Sequence, residues 1–146
     1  MKVHFEIGSV DDVLIVDAQI PEFDCRTTEQ KIHARFANNH ALILIAKIGE
    51  MPVAYKIGYA LSKIQFYSWL GGVIPAYRKQ GIATTLREKQ ECWALSAGYN
   101  EISVKSMNRY PAMLQLLISS GYQISDYENN GTTDSSKICF NKALRE

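Results

Sequence analysis

Three β-rich runs follow one another with almost nothing between them, and this succession restricts the fold more than any other feature of the chain. They are ALILIAKI from Ala41, VAYKIGYAL after the turn GEMP, and IQFYSWLGGV after SK. Runs separated by two to four turn residues pair with their neighbours, so an antiparallel meander is expected. Ahead of it, Val3, Phe5 and Ile7 alternate with His4 and Glu6, the period of a strand with one buried face. Ser9, with Asp12 three residues on, has the form of a capping box opening a short helix with Val10, Val13 and Leu14 inside, ended near Pro21. Thr27 with Gln30 repeats the device before Ile32 and Phe36. Behind the meander come a helix over residues 81–97, the strand EISVK, a helix over 111–119, and strands near 122–127 and 137–142. Gly98 and Gly121, each followed by a tyrosine, suit the left-handed position that ends a helix. The polar stretch ENNGTTDSS, residues 128–136, reads as a mobile hairpin loop.

A β-meander followed by β-α-β-α-β-β gives an α+β (mixed α/β) class, and 146 residues fit one domain, 1–146, with a core of its own. Sixteen Lys and Arg stand against fifteen Asp and Glu, so no bulk field favours a polyanion and nucleic acid is not an expected partner. No run reaches membrane-spanning length, and the opening residues lack the apolar core of a signal peptide. Cys25, Cys92 and Cys139 have neither zinc-site nor disulfide spacing, so no metal is expected and a cytoplasmic location suits them.

The chemistry concentrates in GGVIPAYRKQGIAT, residues 71–84, where a strand ends and a helix begins. A helix start presents backbone N–H groups without intrahelical partners and a partial positive charge, and so holds phosphate oxygens. Gly81 and Ala83 leave that approach open, Arg78 and Lys79 add charge, and Thr84 adds a hydroxyl. Paired glycines at 71 and 72 mark either a bulge or the close approach of another backbone.

RKQGIA after VIP resembles motif A of the GNAT acetyltransferases, [RQ]xxGx[GA] after a strand, and the element order agrees with that family over nearly the whole chain. The resemblance implies a central, mostly antiparallel mixed sheet of about six to seven strands, with the fourth and fifth splayed apart and about four helices around it. It implies acetyl-CoA as cosubstrate, its pyrophosphate on Arg78, Lys79, Gln80, Gly81, Ile82, Ala83 and Thr84, and its pantetheine arm along Gly72, Val73 and Ile74 like an added strand. The Val73 N–H matches the family's support for the thioester carbonyl, and Asn108 its asparagine near the arm. The partner would be an amine of a small molecule, peptide or protein, attacking directly in a ternary complex. Family members often dimerise, so a homodimer is a further expectation.

Acid and base are less well marked. The family's carboxylate on the strand before the loop falls at Tyr67, which suits pocket lining or water ordering better than proton abstraction. Glu22 and Asp24 are alternative bases. The family's tyrosine acid falls at Leu117, leaving Tyr110 or Ser119 as substitutes. Tyr55, Tyr59, Tyr67 and Trp69 can converge on one side of the meander, a wall that favours an apolar or cationic amine. Cys92 reads as a small core residue. A CoA-binding regulatory module without catalysis is the alternative function, and a nucleotide-binding domain a weaker third, since GxxxxGK[ST] is absent.

Overall fold

The structure is a computed structural model that describes residues 2–21 and 26–144. The chain runs β1 (Val3–Ile7), α1 (Val10–Asp17), α2 (Glu29–Phe36), β2 (Ala41–Ile48), β3 (Met51–Ala60), β4 (Gln65–Val73), a single 3-10 turn (Pro75–Tyr77), α3 (Ile82–Ser96), β5 (Glu101–Met107), α4 (Pro111–Ser119), β6 (Gln123–Glu128) and β7 (Lys137–Ala143). Among the described residues the seven strands form one sheet in the order β1-β2-β3-β4-β5-β7-β6, antiparallel throughout except for β4 and β5, which run parallel.

β3 is buried along most of its length because a helix covers each of its faces. Tyr55 points toward α1, where its hydroxyl donates to Asp17, while Leu86 and Gln90 of α3 pack on the opposite face. Val13 and Val16 of α1 are 0% exposed, each worth ~1.5–3 kcal/mol of burial. The capping box at α1 forms as the sequence indicates: Ser9 accepts from the Asp12 N–H and the Asp12 carboxylate accepts from the Ser9 N–H at 3.0 Å.

At α2 the cap lies one residue later than expected. Thr28 accepts from the Lys31 N–H, whereas Thr27 is buried and donates its own N–H to the Asp17 carboxylate. Two consecutive threonines left the choice open in the sequence, and the anchor on α1 decides it. Both expected glycine stops are Schellman motifs. Gly98 has φ +102° with Tyr99 N–H on the Ala94 carbonyl, and Gly121 has φ +95° with Tyr122 N–H on Leu117. Both tyrosines are buried.

The Cys92 expectation changes, and register and hydrogen bonding add detail at two other places. Gly71 and Gly72 pair in register with Lys56 and Tyr55; the extra residue of β4 is Trp69, between the Ile57–Leu70 and Gly58–Ser68 pairs. Cys92 is exposed on the outer side of α3, away from the sheet-facing row Ile82, Leu86, Gln90 and Ala94. Residues 128–136 are knitted by hydrogen bonds: Asn130 N–H donates to Ser136 Oγ, which donates to Thr132 O at 2.6 Å, and Ser136 is 0% exposed. Among the described residues no helix is long and apolar enough to cross a membrane.

Candidate active site

β4 ends where α3 begins, and the chain covers the distance in one tight turn. Lys79 (φ +62°) and Gly81 (φ +79°) are both left-handed, and Gly81 occupies the cap position of α3 with no side chain bonding to the helix start. The Gly81 carbonyl receives the first helical bond from Thr85 N–H and a second from the Thr85 hydroxyl at 2.9 Å. The N–H groups of Ile82, Ala83 and Thr84 precede that first bond and lack intrahelical acceptors. They stand at a pocket of about 160 Å³ lined by Val73, Tyr77, Arg78, Lys79 and residues 81–84. Tyr77 was not singled out by the motif, and Gln80 is not in the lining. A Cβ on Gly81 would meet nothing within 4 Å, so this residue faces open space.

Arg78 turns its side chain back on the strand: its Nε donates to the Val73 carbonyl at 3.1 Å, fixing the end of β4. Ile74 N–H donates to Val53 O at 2.9 Å, which sets the alternation along β4. In an antiparallel ladder that bond makes Val73–Ala54 and Gly71–Lys56 the non-bonded kind of pair and Gly72–Tyr55 the bonded kind. The N–H groups of Gly71 and Val73 therefore point away from β3, while those of Gly72 and Ile74 are taken up by it.

On the side away from β3 lies β5, but the two strands pair only from Gln65–Glu101 to Ser68–Val104. β4 continues to Val73 and β5 to Met107, with β5 paired by β7 to its end, so beyond Ser68 a gap opens between them. The backbone amides of Gly71 and Val73 look into it. The sequence signals this only through the glycine pair, because divergence depends on which strands neighbour each other.

Tyr55, Tyr59, Tyr67 and Trp69 share the α1/α2 face. Tyr67 sits at the closed end of the gap, edge-on to Tyr59 at 5.5 Å. Burial, reinforced by Tyr59, pushes its phenol up to about 12, so at neutral pH it is a hydrogen-bonding group and not a base. Arg35 lies over Trp69 at 5.1 Å and donates to the Tyr59 hydroxyl at 3.0 Å. That guanidinium occupies the aromatic face a cationic amine would use.

Asn108 is turned to the loop before β7, its amide donating to Thr133 O at 2.9 Å. Tyr110 occupies the N-cap position of α4 without a side-chain capping bond, and its ring lies under Arg109. Ser119 Oγ is tied to Leu116 O of its own helix, and Leu117 is a core residue, 4% exposed. Glu22 and Asp24 lie outside the described residues.

No family sequence model matches the chain, and no curated protein is significantly similar to it in sequence. Solved structures do match over nearly full length. The ribosomal-protein-S18-alanine N-acetyltransferase from Escherichia coli is similar at a TM-score of 0.85 and 14% identity, over 99% of this chain and 96% of that one. Ard1 from Thermoplasma volcanium is similar at 0.84 and 13%, over 99% of both chains. A GNAT family acetyltransferase from Elizabethkingia anophelis with acetyl-CoA bound is similar at 0.77 and 13%, over 97% of both chains. The chain has the GNAT fold: the mixed sheet, the parallel β4–β5 pair and the four helices correspond.

Proposed function

We propose that this protein is a GNAT N-acetyltransferase, taking the acetyl group of acetyl-CoA and passing it directly to a bound amine. The observation that carries the reading is the position of Val73. It lines the pocket at the start of α3, and its N–H faces the gap between β4 and β5, so one residue joins a place for a diphosphate to a place for an extended thioester arm.

The N–H groups of Ile82, Ala83 and Thr84 and the partial charge of about +0.5 at the helix start hold the diphosphate, with Lys79 beside it. The arm lies along β4 as a missing strand would, meeting the amides of Gly71 and Val73. Arg78, by gripping the Val73 carbonyl, holds that edge still. The neutral amine attacks the thioester carbon from the α1/α2 face, and an amide of β4 that faces the gap supports the developing oxyanion. Tyr67 closes the inner end of the site and orients the acceptor or a water. Positioning of this kind lowers a barrier by ~7–11 kcal/mol, enough to sustain transfer while the proton of the attacking nitrogen leaves to water.

Tyr59, Tyr67, Trp69 and Arg35 form the acceptor side, which suits an amine with an apolar body. Leu117, buried where the family tyrosine would stand, favours a second reading, a CoA-binding regulatory module. Calorimetry with acetyl-CoA, followed by thiol release across a panel of amines, decides. Binding with acceptor-dependent thiol release is expected; tight binding with no release above hydrolysis selects the module, and no binding removes both readings.

A further inference from the structure

Lys56 and Gly71 face each other across the β3–β4 ladder, in a pair of the non-bonded kind, where the two chains approach most closely. Residue 71 has no side chain, and the lysine fills the space. A Cβ built on Gly71 would lie 3.5 Å from Lys56 Nζ and 3.6 Å from its Cγ. The ammonium is thus carried over β4, on the α3 face of the sheet, beside the residue whose own N–H looks into the gap.

Its electrostatic surroundings come from three elements. Arg87 and Glu91 face it from α3, with Lys142 of β7 and Tyr122 after α4 behind them. Glu91 is the one carboxylate in this group, and it is already held by three donors: the Tyr122 hydroxyl at 2.8 Å, Arg87 Nη1 at 3.0 Å and Lys142 Nζ at 2.9 Å. Among the described residues Lys56 has neither an ion pair nor a hydrogen bond. Loss of solvent, reinforced by Arg87 and opposed by Glu91, lowers its pKa to about 8. A half-buried cation with no ion pair of its own, facing a carboxylate already shared among three donors, is a cost to the folded protein until more negative charge arrives beside it.

The reaction proposed above creates such a charge, and Leu117 cannot quench it. We infer that the Lys56 ammonium is the proton donor to the departing CoA sulfur. This rests on the acetyltransferase reading. The amine nitrogen forms a bond to the thioester carbon, and the C–S bond breaks with its electron pair on sulfur. Sulfur takes a proton from Lys56 Nζ and leaves as the thiol. The surplus proton on nitrogen passes to water, and water returns one proton to the Lys56 amine, so charge and protons balance. A lysine with lowered pKa is still charged at neutral pH and gives up its proton more readily than an ordinary one.

Two variants test this. Lys56→Met keeps an unbranched stem without the charge, and Lys56→Arg keeps the charge on a group that does not release its proton. The first readout needs no turnover: the ultraviolet absorbance of the thiolate reports the titration of CoA bound to each protein. The bound thiol is expected to ionise at lower pH in wild type and Lys56→Arg than in Lys56→Met. The second is kcat against pH with the best acceptor from the panel. Wild type is expected to lose rate above about pH 8, and both variants to lose that limb and about 100-fold in kcat at neutral pH. Because Lys56→Met removes an unpaired charge, its melting temperature should not fall. A thiol titration unchanged by Lys56→Met, or wild-type kcat in that variant, overturns the inference. If wild type binds CoA but acetylates no amine, the transfer reading fails, and the titration still decides whether Lys56 stands against the sulfur.

Discussion

Gly81 offers the sharpest test of the diphosphate pocket, because two nearly isosteric replacements separate charge from shape. The residue is left-handed at φ +79°, and a Cβ there meets nothing within 4 Å, so a side chain projects into open space at the mouth of the pocket. Asn and Asp tolerate left-handed backbone better than other side chains, and either should cost ~1 kcal/mol or less of stability. Asp is the better choice for the free protein, since negative charge at a helix start is favoured by ~0.3–1 kcal/mol. Binding reverses that order. A carboxylate roughly 6 Å from the nearest phosphate, at an effective dielectric of about 20, repels it by ~3 kcal/mol, and the second phosphate adds less. Gly81→Asp should therefore bind CoA about 30- to 150-fold more weakly than Gly81→Asn while melting no lower. Calorimetry at low salt and again at high salt reads the difference, which should shrink as salt screens it. Equal affinities for the two variants would refute the placement of the diphosphate at this helix start.

Three other outcomes are expected. Tyr67, with its phenol pushed from 10.0 up to about 12, should contribute no limb to the rate profile between pH 6 and 10, and Tyr67→Phe should leave its shape unchanged. The linkage has the same sign: stability tied to that phenol is intact below pH 10 and is lost as pH rises toward 12. A limb that vanishes in Tyr67→Phe would mean that the phenol titrates as a base. Glu91→Gln strips charge from three hydrogen bonds linking α3, β7 and Tyr122, and should cost about 3 kcal/mol, or ~6–12 °C in melting temperature. A drop under about 2 °C would show that the cluster contributes little. Tyr55→Phe leaves Asp17 Oδ1, in a residue 3% exposed, without the tyrosine hydroxyl, and should cost ~1–2 kcal/mol in urea unfolding.

The order of elements was legible because local chemistry fixes it. Short turns force the meander to pair, and Gly98-Tyr99 and Gly121-Tyr122 end two helices with the same backbone device. The pocket at the start of α3 was legible for a related reason: a helix start needs only contiguous residues. What escaped depends on register across strands. The extra residue at Trp69 and the meeting of Lys56 with Gly71 each follow from which residue faces which, and no local spacing encodes that. Arg35 escaped likewise, since only the packing of α2 on β3 and β4 brings it over Trp69.

The short β4–β5 pairing has a mechanical meaning of its own. Among the described residues, four residue pairs, extended at one end by the Asn100 and Glu101 N–H groups on Ile64 O, make the backbone seam between the half of the sheet made of β1 to β4 and the half made of β5 to β7. A molecule seated along β4 would work as a wedge that also fastens: it props the halves at their open end while knitting itself to one of them. The amides that bond across those four pairs should then be among the first in the sheet to exchange with deuterium in the free protein, and among those that slow most when the cleft is filled.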